Sequence, residues 1–214
     1  FTEVFQEGIR IRPVKLYRRG ELNTDVINLF LDNCRIPDEV WGDFKAMLSA
    51  MKNMERRLNQ LCDRYGVADI QTGMQEVMEY ADEKARSVIA TIPDGTYSFS
   101  DYLEGIEEDQ FTYIKTTMRI DGDQVELDFT GTDPQIPAAY NFIIGDRTHP
   151  YVVLAITFYI LPIEPDTPKN AGLLRPTHTK APRGTVINAD FPAAMGARAG
   201  PSTRLFDTII GCLN

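Results

Sequence analysis

The chain is 214 residues long, 43% hydrophobic and 25% charged, an ordinary globular composition with room for one large domain or two small ones. Its 31 acidic side chains against 22 basic ones, a net charge of -9, argue against a nucleic-acid partner, which would need a basic face. The longest apolar run, Tyr151 to Leu161, is too short to cross a bilayer, and no secretory signal pattern opens the sequence. Three cysteines without CxxC spacing fit buried thiols in a reducing, cytoplasmic compartment. The sequence starts at Phe1 without a methionine and stops at Asn214 partway along an amphipathic pattern, which reads as a piece of a longer polypeptide.

Residues 1–36 read as an extended segment followed by a short helix. Ile9 and Ile11 alternate with Arg10 and Arg12, Pro13 keeps Arg12 out of the helical region, and Gly20 ends the stretch. Asn23 or Thr24 then caps a helix to about Asn33. Residues 37–95 carry the clearest periodicity. Phe44, Met47, Met51, Met54, Leu58, Leu61 and Tyr65 fall at alternating steps of three and four, a seam along a helix about 40 Å long at ~1.5 Å per residue. Gly66 is a natural C-terminal stop, and Ile70, Met74, Val77, Ala81, Ala85, Val88 and Ile92 mark a second helix, closed by Pro93–Gly95. Two such helices with a short link predict a long antiparallel hairpin, its methionines used for packing rather than for a binding groove.

From Thr96 the period becomes two. Thr96 to Leu103 is a strand, Ile114, Thr116, Met118 and Ile120 share a face of another, and Asp121 to Gln124 turns the chain into Val125 to Thr130. The run 151–161 fits a buried strand or a buried helix equally, because periodicity cannot separate them. Five prolines make 162–184 loop-like, Thr185 to Asn188 is a strand candidate, and a helix starts at Ser202 or Thr203. The fold class expected is α+β: the helical hairpin, then an antiparallel β hairpin or sheet region over 96–214 with further helices.

Chemistry is sparse. His149 and His178 stand about thirty residues apart with no ligand spacing, so no metal site is expected from this chain, and each reads as a surface or structural histidine. Neither a GxSxG elbow nor a phosphate-binding GxxxxGK[ST] loop is present. Two segments remain. In "DFTGTDPQ", Asp128, Thr130, Thr132 and Asp133 surround a glycine bend, where they either meet a polar substrate or cation, or close Asx and Ser/Thr turns. In "GARAGPSTRLF", Arg198, Ser202 and Arg204 gather at a helix N-terminus, an anion seat or merely a capped helix with exposed arginines.

Four stretches in order, "EGIRIRPVKLYRRGELN", "PDGTYSFSDYL", "DGDQVELDFTGTDPQIPAAYN" and "PKNAGLLRP", resemble the middle of hydantoinase B-type subunits, and the resemblance covers essentially the whole chain. That family includes N-methylhydantoinase B, the related half of 5-oxoprolinase and the corresponding subunit of acetone and acetophenone carboxylases. The resemblance implies a hetero-oligomer with a hydantoinase A-type subunit that uses ATP. It implies a substrate that is a small cyclic amide or a ketone, and a divalent metal held by a histidine- and aspartate-containing part preceding Phe1. It also adds Asn141, the polar end of the "YN" pair, to the substrate-site candidates.

One departure from the family is plain: before the last helix the sequence reads "ARAGPSTRLFD". Arg204 and Asp207 keep their places, but Gly200 and Pro201 replace acidic and amide groups. That leaves three readings: a subunit of an ATP-dependent cyclic-amide hydrolase, the matching subunit of a ketone carboxylase, or a mainly scaffolding segment whose helices dock a partner. The aromatic residues Phe129, Tyr140, Phe142 and Tyr159 fit either enzyme.

Overall fold

The computed structural model describes residues 1–105, 111–145 and 148–214, which form two compact units. One is Gly8–Gly73; the other joins Phe1–Glu7 to Met74–Asn214.

In Gly8–Gly73, β1 (Tyr17–Arg18) and β2 (Glu21–Leu22) make a small antiparallel hairpin. Its turn residues Arg19 and Gly20 both have positive φ (53° and 87°), the conformation tight hairpins demand. Helix α1 (Thr24–Leu31) follows Asn23, whose side chain reaches back to the Lys15 carbonyl instead of capping the helix. Helix α2 (Pro37–Tyr65) starts with Pro37 in its first turn and runs 29 residues. It ends at Gly66 (φ 88°, ψ 148°), which donates its N–H to the Cys62 carbonyl. The eight-residue α1 reaches only the start of α2, where Phe30 meets Phe44 edge-on at 5.2 Å. Here the expected packing of the Met seam fails: no residue of α2 is buried, and Met54 is 67% exposed.

Helix α3 (Val67–Ile89) enters the second unit from Met74 onward and buries Ala81, Ala85, Val88 and Ile89, a stripe at helical spacing. This stripe packs into the core of a four-stranded sheet of order β3-β4-β5-β6, made by β3 (Gly95–Glu104), β4 (Phe111–Asp121), β5 (Gln124–Asp128) and β6 (Thr177–Lys180). The first three strands are antiparallel, as the alternation predicts, and Ile114, Thr116, Met118 and Ile120 do share the buried face. β6 lies parallel to β5, Val125 opposite Thr177, so the sheet is mixed and the 162–184 segment is not all loop. Thr185–Asn188 forms only isolated bridges, because its backbone is divided between the Asp133 carbonyl and residues 142–144.

The ambiguous run resolves as helix α4 (Leu154–Ile163), which buries Ala155, Ile156 and Ile160. Helix α5 (Ala199–Leu213), three residues earlier than its expected polar start, lies across β3 and β4 with Leu205, Ile209 and Cys212 buried. A buried hydroxyl pair, Thr116 with Thr208 at 2.7 Å, fixes its register. Helix and sheet meet so closely at Gly211 that a Cβ there would stand 2.4 Å from the Phe99 ring.

The "PKNAGLLRP" stretch clamps α3. Asn170 accepts the Gly172 N–H at 2.8 Å and donates to the Val77 carbonyl at 3.1 Å. Gly172 then lies against the helix backbone, where a Cβ would fall 2.1 Å from the Met78 carbonyl oxygen.

Candidate functional site

The Asp- and Thr-rich loop after β5 is stitching. Asp128 accepts the Thr130 N–H at 2.8 Å and the Lys180 ammonium at 2.7 Å, tying the end of β5 to β6. Burial pushes its carboxyl pKa up, but the Lys180 ammonium and the Thr130 hydrogen bonds outweigh this and hold it below the ordinary aspartate value. Thr132, buried, accepts the Lys115 N–H at 3.1 Å and donates to the Lys115 carbonyl at 3.2 Å. Asp133 accepts the Tyr113 N–H at 2.8 Å through its side chain and donates its own N–H to the Tyr113 carbonyl at 2.9 Å. β4 extends past β5 here, and these two residues satisfy the edge groups that a strand would otherwise pair. Thr130 is exposed on the bend.

Asn141 is fully buried. Its amide nitrogen donates to the carbonyls of Ile136, Ala138 and Ala194 (2.8, 2.8 and 3.1 Å), and its oxygen accepts the Ile136 N–H at 2.9 Å. Backbone groups thus occupy both ends of that amide. Of the five substrate-site candidates, Asp128, Thr132, Asp133 and Asn141 are committed to the fold, and Thr130, though exposed, hydrogen-bonds Asp128.

The second segment behaves differently. Arg198 and Ser202 line a cavity of about 500 Å³, a volume that suits a small molecule. Its apolar walls are Phe142, Tyr151, Leu154 and Phe206. Among the described residues, neither the Arg198 guanidinium nor the Ser202 hydroxyl has a side-chain partner. The helix N-terminus itself is less open than the sequence suggests: Gly200 gives its N–H to Ala197, and Pro201 has none. On the loop just before α5, the N–H groups of Met195 and Gly196 both donate to the Glu7 carboxylate. Arg204 is elsewhere, bridging Asp101 of β3 at 2.9 Å and Asp207 at 3.1 Å beside a second recess that includes Tyr140.

Behind the cavity wall stands His149. Its ring stacks on Tyr151 (centroids 5.7 Å) and meets Phe142 edge-on at 5.2 Å, while Nδ1 accepts the Tyr151 N–H at 3.2 Å. Burial lowers its pKa and so favours the neutral imidazole, in which an Nδ1 that accepts leaves the proton on Nε2. His178 is an exposed partner of Gln124, as expected. No sequence signal announces that residues 142, 149, 151 and 206 converge: the first three lie before α4 and Phe206 is on α5, and they meet only in the fold. Phe129, a pocket candidate by its aromatic character, is instead fully buried in the core.

Among the described residues, no three His, Cys, Asp or Glu side chains converge to hold a metal ion. The divalent metal that the resemblance implies is expected on a part preceding Phe1, not on these residues.

The structure defines an α+β segment with a mixed sheet, a helix across it and a cavity at that helix's start. The chain belongs to the hydantoinase B/oxoprolinase family, which it matches over residues 1–214. It is 29% identical over 99% of its length to the B-type subunit of a putative D-/L-hydantoinase from Pseudomonas sp. (strain NS671), covering 37% of that protein. It is 34% identical over 89% of its length to the beta subunit of the Pseudomonas jessenii caprolactamase, covering 32% of it. The crystal structure of the ATP-dependent caprolactamase from Pseudomonas jessenii superposes with a TM-score of 0.86 at 31% identity, over 99% of this chain and 36% of that one. A nucleotide-free acetone carboxylase shares the fold, with a TM-score of 0.79 at 16% identity over 92% of this chain and 27% of that one. The chain thus spans about a third of the length of these two relatives, the hydantoinase and caprolactamase subunits.

Proposed function

We propose that this chain is part of the B-type subunit of an ATP-dependent enzyme that opens cyclic amides, acting with a hydantoinase A-type subunit that uses the ATP. The observation that carries the proposal is the similarity, over 89% of this chain and 32% of the relative, to the beta subunit of the caprolactamase, whose name specifies a lactam hydrolase. The cavity supports it. Phe142, Tyr151, Leu154 and Phe206 offer apolar walls to a small ring, and Arg198 and Ser202 offer donors to a carbonyl or phosphorylated oxygen. Thr130 is the remaining candidate on the sheet side. In this reading the 96–214 region faces substrate and the 37–95 helices serve assembly. A cytoplasmic location belongs to the same proposal, supported by three free cysteines. No helix among the described residues is long and apolar enough to cross a membrane.

A ketone carboxylase is the second reading. It is favoured by the Gly200–Pro201 departure and by 27% identity to the acetophenone carboxylase delta subunit of Aromatoleum aromaticum, over 97% of this chain and 30% of that one.

The test uses the complete subunit with its A-type partner, following ATP consumption with a hydantoin, 5-oxoproline, caprolactam, and acetone or acetophenone plus bicarbonate. Stimulation by a cyclic amide without bicarbonate is expected. Stimulation only by a ketone, with labelled bicarbonate entering product, would replace the hydrolase with the carboxylase. Silence from every substrate would leave a scaffolding segment.

A further inference from the structure

Helix α2 shows an uncovered seam. Met47, Met51, Met54, Leu58, Leu61 and Tyr65 follow one another at steps of four and three and are between 38% and 67% exposed. No charged residue interrupts them. A strict 3.5-residue repeat is the spacing of a coiled-coil seam, whereas a helix laid on a globular core carries a wider apolar face. A stripe this long is far more than the scattered apolar residues of a normal surface.

The charges say what fits it. α2 carries five acidic and five basic side chains, so it is neutral within a chain of net charge -9. They are unevenly placed: residues 38–45 carry Asp38, Glu39 and Asp43 against Lys45, and residues 52–65 carry Lys52, Arg56, Arg57 and Arg64 against Glu55 and Asp63. Such a helix complements itself only when reversed.

We propose that α2 pairs with α2 of a second copy of this chain as an antiparallel two-stranded coiled coil, centred between Lys52 and Asn53. In that register Met51 packs on Met54 of the second copy, and Met47 on its Leu58. Phe44, at the edge covered by Phe30, meets its Leu61. Asp43 lies beside Arg64 of the second copy at both ends, and the acidic start of each helix faces the basic end of the other. A parallel pair would set acidic start against acidic start. At about 100 Å² for each half-exposed long side chain, the pairing removes roughly 600 Å² per copy, about 1,200 Å² in all, the lower end for a specific interface. This inference stands apart from the substrate reading, since it uses nothing from the cavity.

The experiment uses the full-length subunit in a Cys62→Ser background, with cross-linking under mild oxidation and mass by light scattering. The Met51→Cys/Met54→Cys variant is expected to form a disulfide-linked dimer, and Leu58→Cys alone is not. Met54→Glu/Leu58→Glu is expected to halve the mass while helical circular dichroism is retained. Cross-linking of Leu58→Cys alone would mean a parallel pair and overturn the antiparallel register. A full-length subunit that forms no cross-link, or keeps its mass in the glutamate variant, would mean that something other than a second α2 covers this face.

Discussion

Replacing Asn141 by leucine separates a structural from a substrate-binding role for the family-derived candidate. The side chains are similar in volume, so the change leaves little cavity and removes only hydrogen bonds. Four backbone groups lose their partner: the carbonyls of Ile136, Ala138 and Ala194 and the Ile136 N–H. Each buried polar group left unpaired costs about 1–3 kcal/mol, less where the loop relaxes toward water. The loop 136–141 can relax around Pro137, whereas Ala138 and Ala194 are buried. The expected net loss is therefore about 3–5 kcal/mol. The unfolding entropy grows with length, so for a subunit about three times as long as this chain each kcal/mol moves the midpoint by roughly 1 °C, and the apparent midpoint should fall by about 3–5 °C. Thermal unfolding of the complete subunit reads this directly. Below the new midpoint, the KM for whichever substrate stimulates ATP use should be unchanged. An unaltered midpoint together with a lost or weakened substrate response would refute the reasoning and return Asn141 to the site.

Gly172→Ala should destabilise by about 1–3 kcal/mol, because its Cβ would overlap the Met78 carbonyl and push the "PKNAGLLRP" turn off α3. Urea unfolding that matches the parent protein would contradict the clamp. The Asp128–Lys180 pair gives a pH signature. The Asp128 pKa is depressed on folding, so its contribution is fully present above the unfolded value and lost as pH falls through the folded one. Lys180→Met should therefore cost stability near neutrality, modestly for so exposed a pair, and cost progressively less below about pH 4, which flattens the acid side of the stability profile. A loss as large at about pH 2–3 as at pH 7 would count against it. Burial also depresses the His149 pKa, so its contribution is present above the ordinary histidine value and disappears as pH falls through that range. Proton NMR of the imidazole should show a midpoint below the ordinary histidine value of about 6.5. A midpoint at or above that value would remove the buried setting behind Tyr151.

What is legible in the sequence is what local period controls. The steps of three and four place α2 and α3 within a few residues, and alternation puts Ile114, Met118 and Ile120 on the correct face of β4. β6 escapes such reasoning because Thr177–Lys180 is short, polar and surrounded by prolines; only its parallel pairing with β5, some fifty residues away, makes it a strand. Residues 185–188 fail in the opposite way, with β-forming side chains whose backbone bonds are claimed by two loops. The β-branched run before Pro162 is helix because burial on both α5 and the sheet core outweighs intrinsic preference. The seam of α2 is a seam, as its period says, yet it is not covered, since period reports which side is apolar and never what meets it.

Turn and site share one chemistry, and this is why the loop after β5 could not be assigned from its residues. Aspartates and threonines around a glycine present the same oxygens whether they face a ligand or a backbone N–H; only the observed partners separate the two cases. Those partners are backbone groups and Lys180, so the stretches that carry the family resemblance here hold the sheet and α3 together. The uncommitted polar groups lie instead at the start of α5, in the segment that departs from the family pattern. Under the proposed function, that location would bear on substrate choice. Arg198 offers only donors, which match a carbonyl or enol oxygen, while a ring amide also presents an N–H that needs an acceptor. Within the cavity, the acceptors among the side chains are the hydroxyls of Ser202, Thr203 and Tyr151, and Thr203 already donates to the Ala199 carbonyl, leaving its oxygen lone pairs available. For a cyclic amide to be chosen over a ketone by this chain, one of those hydroxyls must receive the amide N–H. Ser202→Ala is then the substitution that should cost a lactam more than a ketone.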